Sequence, residues 1–446
     1  MHKRYIENTL NTEDLEDFLQ PNNLQRHLVT EIEYILARLP AFPVGGHTSS
    51  IYHGQAGILY LLFHIHNVDP SVTVAGDPVA ELCEMYLTSI TKSAVELNSK
   101  HCGFIDSPVG AIAVAACVHH VVLRKDYKAR LEIEKLLEYQ SVALNDDVSD
   151  ELLYGRVGYL YALQLVCLHC SDIAGDLITD NTRLAVIKKV IEHGQKDAVD
   201  GWPLMWSWHD RHYLGAAHGV AGIVGILLQC GSLVDPWKED LSTVAERLSE
   251  MTLTSGNVPS SLSSHKDELV QFCHGAPGVI PCLTLINRLY PGDRSKRLLS
   301  FAEKQADCTW ERGLLSKSAG LCHACGRFKL SPALTIDSLL GISGNAFAFL
   351  ELYSVYPEST HYMKKAGAFC RFACEWREHT SRKVLHTPEH PNSLFEGNAG
   401  LAWLLIDLWW VIQQNDQGGQ NQHGSKSNQR TLKERPGGYP CFTDLI

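Results

Sequence analysis

The stretch LGAAHGVAGIVGILL at 214–228 sets the pattern of the chain: a histidine, two glycines three residues apart, then an unbroken apolar run. Variants of its HGVAG core (218–222) recur as HGQAG at 53–57, DSPVG at 106–110, YGRVG at 154–158, HGAPG at 274–278, GISG at 341–344 and EGNAG at 396–400. The last glycine of each signature follows the previous one by 48 to 66 residues, room for two helices and two connections per repeat. Between signatures lie amphipathic segments such as RHLVTEIEYILARL (26–39), where Leu28, Ile32, Ile35 and Leu39 share one helical face. Each repeat therefore holds one amphipathic and one nearly all-apolar helix. An all-apolar helix must be covered on every side, so seven of them pack as an inner ring with the amphipathic helices outside. The expected fold is all-α, an α/α toroid. Glycines at the inner-helix starts let backbones approach closely and gather several helix N-termini around one mouth, whose partial positive charge favours thiolates and carboxylates. One Gly-x-x-Gly pair would say only that two helices pack tightly; seven signatures at similar spacing carry the toroid.

Composition narrows the partners. Fifty acidic against 39 basic residues give a net charge of -11, and no basic run interleaves with aromatics, which excludes nucleic acid as a principal partner. The longest apolar stretches, GILYLLFHIH (57–66) and GLAWLLIDLWWVI (400–412), fall short of the roughly 20 residues a membrane span needs. No transmembrane segment is expected; peripheral membrane contact stays open. The polar start MHKRYIENTLNTEDLEDFLQ lacks the apolar core of a secretion signal. Fourteen cysteines are scattered, several in apolar runs such as Cys117, Cys230 and Cys282, as suits a reducing compartment. The expectation is a cytoplasmic protein. The toroid is assigned to 1–413, with an insertion at 324–340 (ACGRFKLSPALTIDSLL). Residues 414–438 read as a polar, disordered linker, and 439–446 as a C-terminal segment.

Cysteine followed by histidine at an inner-helix mouth occurs twice, in FCHGAPG (272–278) and LCHACG (321–326). A single such pair is more often a buried thiol beside a satisfied imidazole. Two pairs at equivalent positions of adjacent repeats favour a metal. Zinc takes thiolate and imidazole ligands, and three protein ligands, Cys273, Cys322 and His323, leave a fourth position for water or substrate. Cys322-x-x-Cys325 is alternatively a redox pair or the source of a third sulfur, whereas Cys167-x-x-Cys170 lies in an inner helix and reads as core.

Five segments, LGAAHGVAGI (214–223), CHGAPGV (273–279), GLCH (320–323), GNAFAFLELY (344–353) and SLFEGNAG (393–400), resemble in order the LanC-like proteins, eukaryotic relatives of the bacterial lanthionine cyclases. The resemblance covers nearly the whole chain. It implies the α/α toroid and one zinc held by Cys273, Cys322 and His323. It also implies glutathione as co-substrate, its thiol adding to dehydroalanine or dehydrobutyrine residues in proteins. His218 matches the family's catalytic histidine, and Asp150 or Glu151 stands where cyclases carry an assisting acid. Lys317 and Arg4 match glutathione-contacting cations. His386-Thr387-Pro388-Glu389 stands where family members have Arg-Thr-Pro-Asp, so a fixed charge becomes a titratable imidazole. Phe272 stands where tryptophan is common, keeping an aromatic wall but losing an indole donor.

The family joins Cys-His directly to Gly-x-x-Gly-Asn, whereas here GISGNAFAFL resumes only at Gly341. The 17-residue insertion either gates the mouth, disrupts the site or is a retained intron in the translation. The competing function is accordingly a non-catalytic zinc- and glutathione-binding scaffold or signalling adaptor. A toroid glycosidase would need two carboxylates facing one cleft; the signatures present cysteines and histidines instead.

Overall fold

The last glycine of each signature acts at a turn that leads from an extended loop into an inner helix. The computed structural model describes residues 5–43, 50–90, 100–316, 318–321, 341–420 and 438–445. A Cβ on Gly57, Gly110, Gly158, Gly222, Gly278 or Gly400 would meet the carbonyl oxygen of the residue six positions earlier at 1.8–2.5 Å. No side chain fits there, so each loop folds tightly over the first turn of its own helix. Gly344 makes the same approach, 1.9 Å, to Leu321 O, across 23 residues instead of six. The surplus equals the 17 residues of 324–340, so the described flanks of the insertion keep the register of the other repeats.

Fourteen principal helices alternate between two rings. The outer ones are α1 (Pro21–Arg38), α3 (Val79–Ile90), α5 (Asp126–Glu138), α7 (Asp180–Lys196), α9 (Lys238–Glu250), α11 (Asp293–Arg312) and α13 (Thr360–Cys374). The inner ones are α2 (Gln55–Val68), α4 (Pro108–Cys117), α6 (Arg156–His169), α8 (Val220–Leu228), α10 (Ala276–Leu289), α12 (Ile342–Val355) and α14 (Asn398–Gln420). Every residue of α8 is buried, whereas α1 buries one stripe, Leu24, Leu28, Ile32 and Ile35, and with it Glu31. Glu31 is satisfied by the Arg377 guanidinium and by the Trp376 indole N–H at 3.2 Å. Each inner helix touches the next and is backed by the outer helix that follows it; α14 meets α2 and is backed by α1. The expected α/α toroid is thus closed, its first and last repeats joined. At that seam His64 of α2 pairs with Asp407 of α14 at 2.6 Å and stacks on Trp403 at 4.1 Å.

Among the described residues no single helix is long and apolar enough to cross a membrane, and the twelve described cysteines are free. Burial pushes the Cys230 and Cys282 thiols up to about 12, as befits inert core residues. The last helix runs through Gln420, into the stretch read from sequence as a linker; residues 421–437 lie outside those described. The chain then re-enters the centre of the ring, where Tyr439 and Cys441 are fully buried.

Two glycines separate the turn requirement from ordinary helix propensity. Gly110→Ala forces a Cβ against Phe104 O at 2.0 Å and should cost about 3 kcal/mol or more in urea unfolding. Gly225→Ala, inside α8 with open space around its Cβ, should gain about 0.5–1 kcal/mol. Equal stability of the two variants would refute the turn argument.

Candidate functional site

The mouth is built from the loops that enter α6, α8 and α10. Gly215 lets the loop before α8 lie against the Cys273 carbonyl, since a Cβ there would stand 2.2 Å from that oxygen. Cys273, 4% exposed, and His218, 2% exposed, are thereby brought to adjoining positions. Gly275, φ +135°, makes the turn after Cys273-His274 in a region favoured only by glycine. His274 comes with it: its ring lies 6.2 Å from that of His218 and 5.4 Å from Tyr213. Burial lowers the His274 pKa, the Cys273 sulfur opposing this. Its Nδ1 is buried with no hydrogen-bond partner among the described residues.

The sequence left Asp150 and Glu151 open, and the two side chains go to different places. Glu151 Oε2 lies 2.8 Å from His218 Nδ1 and accepts the Leu153 N–H at 2.9 Å. Its Oε1 accepts the Tyr154 N–H at 2.7 Å and the Ser149 hydroxyl at 3.2 Å. With both oxygens acting as acceptors, His218 is assigned a proton on Nδ1. Asp150 turns away to the fully buried Arg156 guanidinium and to His193 Nδ1 at 3.1 Å. Arg156 also donates to the carbonyls of Ala143 (2.9 Å), Asn145 (2.7 Å) and Val148. That cluster ties the loop before α6 together, so Asp150 supports the loop while Glu151 addresses the histidine.

The Trp208 indole covers one face of His218, with centroids 3.8 Å apart and planes within 3°. Tyr154 lies parallel to both at 6.3 and 6.2 Å. The sequence reading did not find Trp208. It sits ten residues before the histidine on an irregular loop, where His209 and Asp210 have positive φ, so no periodicity marks it. A cleft of about 980 Å³ opens beside this stack, lined by Tyr154, Trp208, Lys100, Lys189 and Asp150 among others.

The other expected residues divide by position. Arg4, Lys317, Cys322 and His323 lie outside the described residues, as does Cys325. Their described neighbours come together: Tyr5 bridges Leu315, and the His386 N–H donates to Ser316 O at 3.0 Å. His386, Thr387 and Glu389 are exposed and Pro388 half-buried, on the loop after α13. Next to them His390 stacks on His53 at 4.6 Å, a pairing that the sequence did not reveal because it joins the first and last repeats. Phe272 forms the expected aromatic wall, with its face covered by Tyr439 at 3.4 Å. Of the three expected zinc ligands, Cys273 alone lies among the described residues, buried at this mouth beside the His274 Nδ1 that has no hydrogen-bond partner among them.

Replacing Asp150 tests the division of labour. Asp150→Asn should lower unfolding stability by about 2–4 kcal/mol, because it leaves the buried Arg156 without its ionic partner. The same substitution at Glu151 should cost less stability. The reverse order in thermal or urea unfolding would overturn the assignment.

The family model for lanthionine synthetase C-like proteins matches residues 47–410. The chain is 31% identical over 407 residues to Glutathione S-transferase LANCL1 of Danio rerio, covering 88% of this chain and 91% of that protein. It is 29% identical over 263 residues to LanC-like protein GCL1 of Arabidopsis thaliana, covering 58% of this chain and 55% of the relative. Among solved structures, nisin cyclase superposes with a TM-score of 0.56 at 13% identity, covering 88% of this chain and 98% of the cyclase, which places the two in one fold. The glycine turns, the closed double ring and the match along most of its length together establish that the chain belongs to the lanthionine synthetase C-like family.

Proposed function

We propose that this protein is a cytoplasmic, zinc-dependent glutathione transferase that adds the glutathione thiol to dehydroalanine or dehydrobutyrine residues of proteins. The observation that carries the reading is the buried His218–Glu151 pair beside Cys273 at the mouth. The name of the Danio rerio relative supports a glutathione-based chemistry. Cys273, Cys322 and His323 would hold the zinc, which when bound lowers the pKa of a coordinated thiol and so supplies a thiolate at neutral pH.

The protein's own groups account for the rest. The sulfur bonds to the β-carbon of the dehydroamino acid, and the alkene pair moves to the α-carbon and carbonyl as an enolate. His218 Nε2, protonated by the proton that the glutathione thiol gives up, then delivers it to the α-carbon, so that H and SR have added across the double bond and the imidazole is again neutral. Glu151 holds the other imidazole proton at Nδ1, fixing the ring orientation and balancing the imidazolium. Trp208 fixes the ring plane. Arg4, Lys317 and the His386–Glu389 loop are the proposed contacts for glutathione, and the cleft beside Trp208 has room for a protein loop bearing the electrophile. The insertion between His323 and Gly341 favours a second reading, a zinc- and glutathione-binding scaffold without turnover.

Three experiments distinguish these. His218→Ala should reduce addition to a dehydroalanine peptide by about 10²–10⁴-fold and leave the glutathione Kd unchanged; undiminished turnover would remove His218 from the mechanism. His386→Arg should tighten glutathione binding by about 3–10-fold, read by calorimetry. Zinc content of the full chain and of a variant lacking 324–340 should be about one per chain in both, and addition should stop on chelation. Zinc in the shortened variant alone would convert this chain to the scaffold reading, and zinc in neither would sink the metal assignment.

A further inference from the structure

The ring of inner helices has a polar centre, and something other than water meets it. Tyr60 of α2 and Tyr161 of α6, both fully buried, turn their hydroxyls inward to one oxygen of Asp444, Tyr161 at 2.8 Å. Glu351 of α12, 1% exposed, accepts the Thr443 hydroxyl at 2.7 Å. The Trp403 indole of α14 donates to Gly438 O at 3.1 Å, and Gln229, just past α8, donates to Phe442 O. Tyr439 stacks on Phe272 at 3.4 Å and meets Phe347 edge-on at 5.4 Å. Helices from widely separated repeats thus each give one group to a single short segment. Within it Cys441, which is not glycine, is held at φ +71°, a conformation retained only where surroundings dictate it.

We propose that the axial channel of the toroid is a peptide-binding site and that its ligand is the chain's own segment 438–445. Recognition is specific in kind. Two tyrosine hydroxyls take a carboxyl group, a glutamate takes a hydroxyl, and aromatic faces take Tyr439 and Phe442. Burial raises the Asp444 pKa to about 6, the tyrosine hydroxyls opposing the shift. The ligand is also part of the chemistry-bearing mouth. Tyr439 and Phe442 close a small cavity whose other walls include Phe272, Cys273 and Ala217, so the segment is the floor beneath Cys273. Its role there is positioning: it fixes the Phe272 ring and, through the adjoining backbone, the cysteine.

The test uses the full, folded chain with a specific protease site placed within 421–437. After cleavage the fragment containing 438–446 should stay with the toroid through gel filtration in chelator. It should be displaced by an excess of synthetic GYPCFTDLI, and at least about tenfold less by the peptide with alanine at the Tyr439 and Asp444 positions. In the uncleaved Tyr439→Ala variant, iodoacetamide should alkylate Cys273 about tenfold faster than in the parent while Cys282 stays protected. Both readouts are taken in chelator and without glutathione, so failure here is distinct from failure of the transferase reading. Immediate loss of the fragment, or displacement equally by both peptides, would overturn the binding site. An unchanged Cys273 alkylation rate would overturn the floor.

Discussion

The close approach between a glycine and the carbonyl six residues before it is the constraint on which the molecule rests. It is a contact between backbone atoms, so it leaves the loop residues between them free to vary, and it is made at six of the seven inner-helix starts, with Gly344 making the same approach to Leu321 across the insertion. Because the loop is folded back over the first helical turn, its side chains project around the mouth and not along the outside of the ring. Histidines, cysteines and carboxylates placed there share one space although they lie far apart in sequence. The site therefore follows from the turn, and the chemistry can change by substitution within a loop while the ring is unaffected.

Closure imposes a second requirement. An open solenoid can end on polar capping repeats, but a toroid must bring its first repeat against its last with a unique partner. Inner helices that are apolar all round do little to distinguish one neighbour from another. The polar groups among them supply that distinction. His64 meets Asp407 only where α2 lies beside α14, and Glu31 of α1 meets Trp376 and Arg377 only where the outer ring also closes. A mispaired ring would strand those groups in the core, at about 1–3 kcal/mol or more for each. Buried polarity here costs solvation and returns a single order of helices.

The ring itself was legible because its signal is periodic: a repeated signature and alternating helix types are visible without any knowledge of contacts. His218 was legible because it opens a signature, and Cys273 because it stands immediately before one. Glu151 and Asp150, neighbours in sequence, were not separable, since which side chain faces the histidine depends on how the loop turns around Arg156. Trp208 and the His53–His390 stack escaped for a related reason. Their partners lie on other loops, and an irregular segment carries no period to betray the direction of a ring. The final segment escaped most completely. Its seven-residue run YPCFTDL follows a polar stretch, which reads as the end of order, yet Tyr439, Cys441, Phe442 and Thr443 are buried.

That burial changes what the toroid is. Seven helices closing around an axis leave a space whose width is set by the ring and not by the side chains that happen to point inward. In a bundle with fewer helices, core residues meet across the axis and fill it; in a ring of seven they do not reach. The axis must then hold water, a ligand or more protein. Water would hydrate Tyr60, Tyr161 and Glu351 but would leave the apolar faces of Phe272 and Phe347 wet. A peptide carrying aromatic, hydroxyl and carboxyl groups in the right order satisfies both kinds of surface at once. The same geometry that gathers reactive groups at the mouth thus creates a void beneath them. Filling that void with segment 438–445 couples the integrity of the site to residues that follow the last helix of the ring.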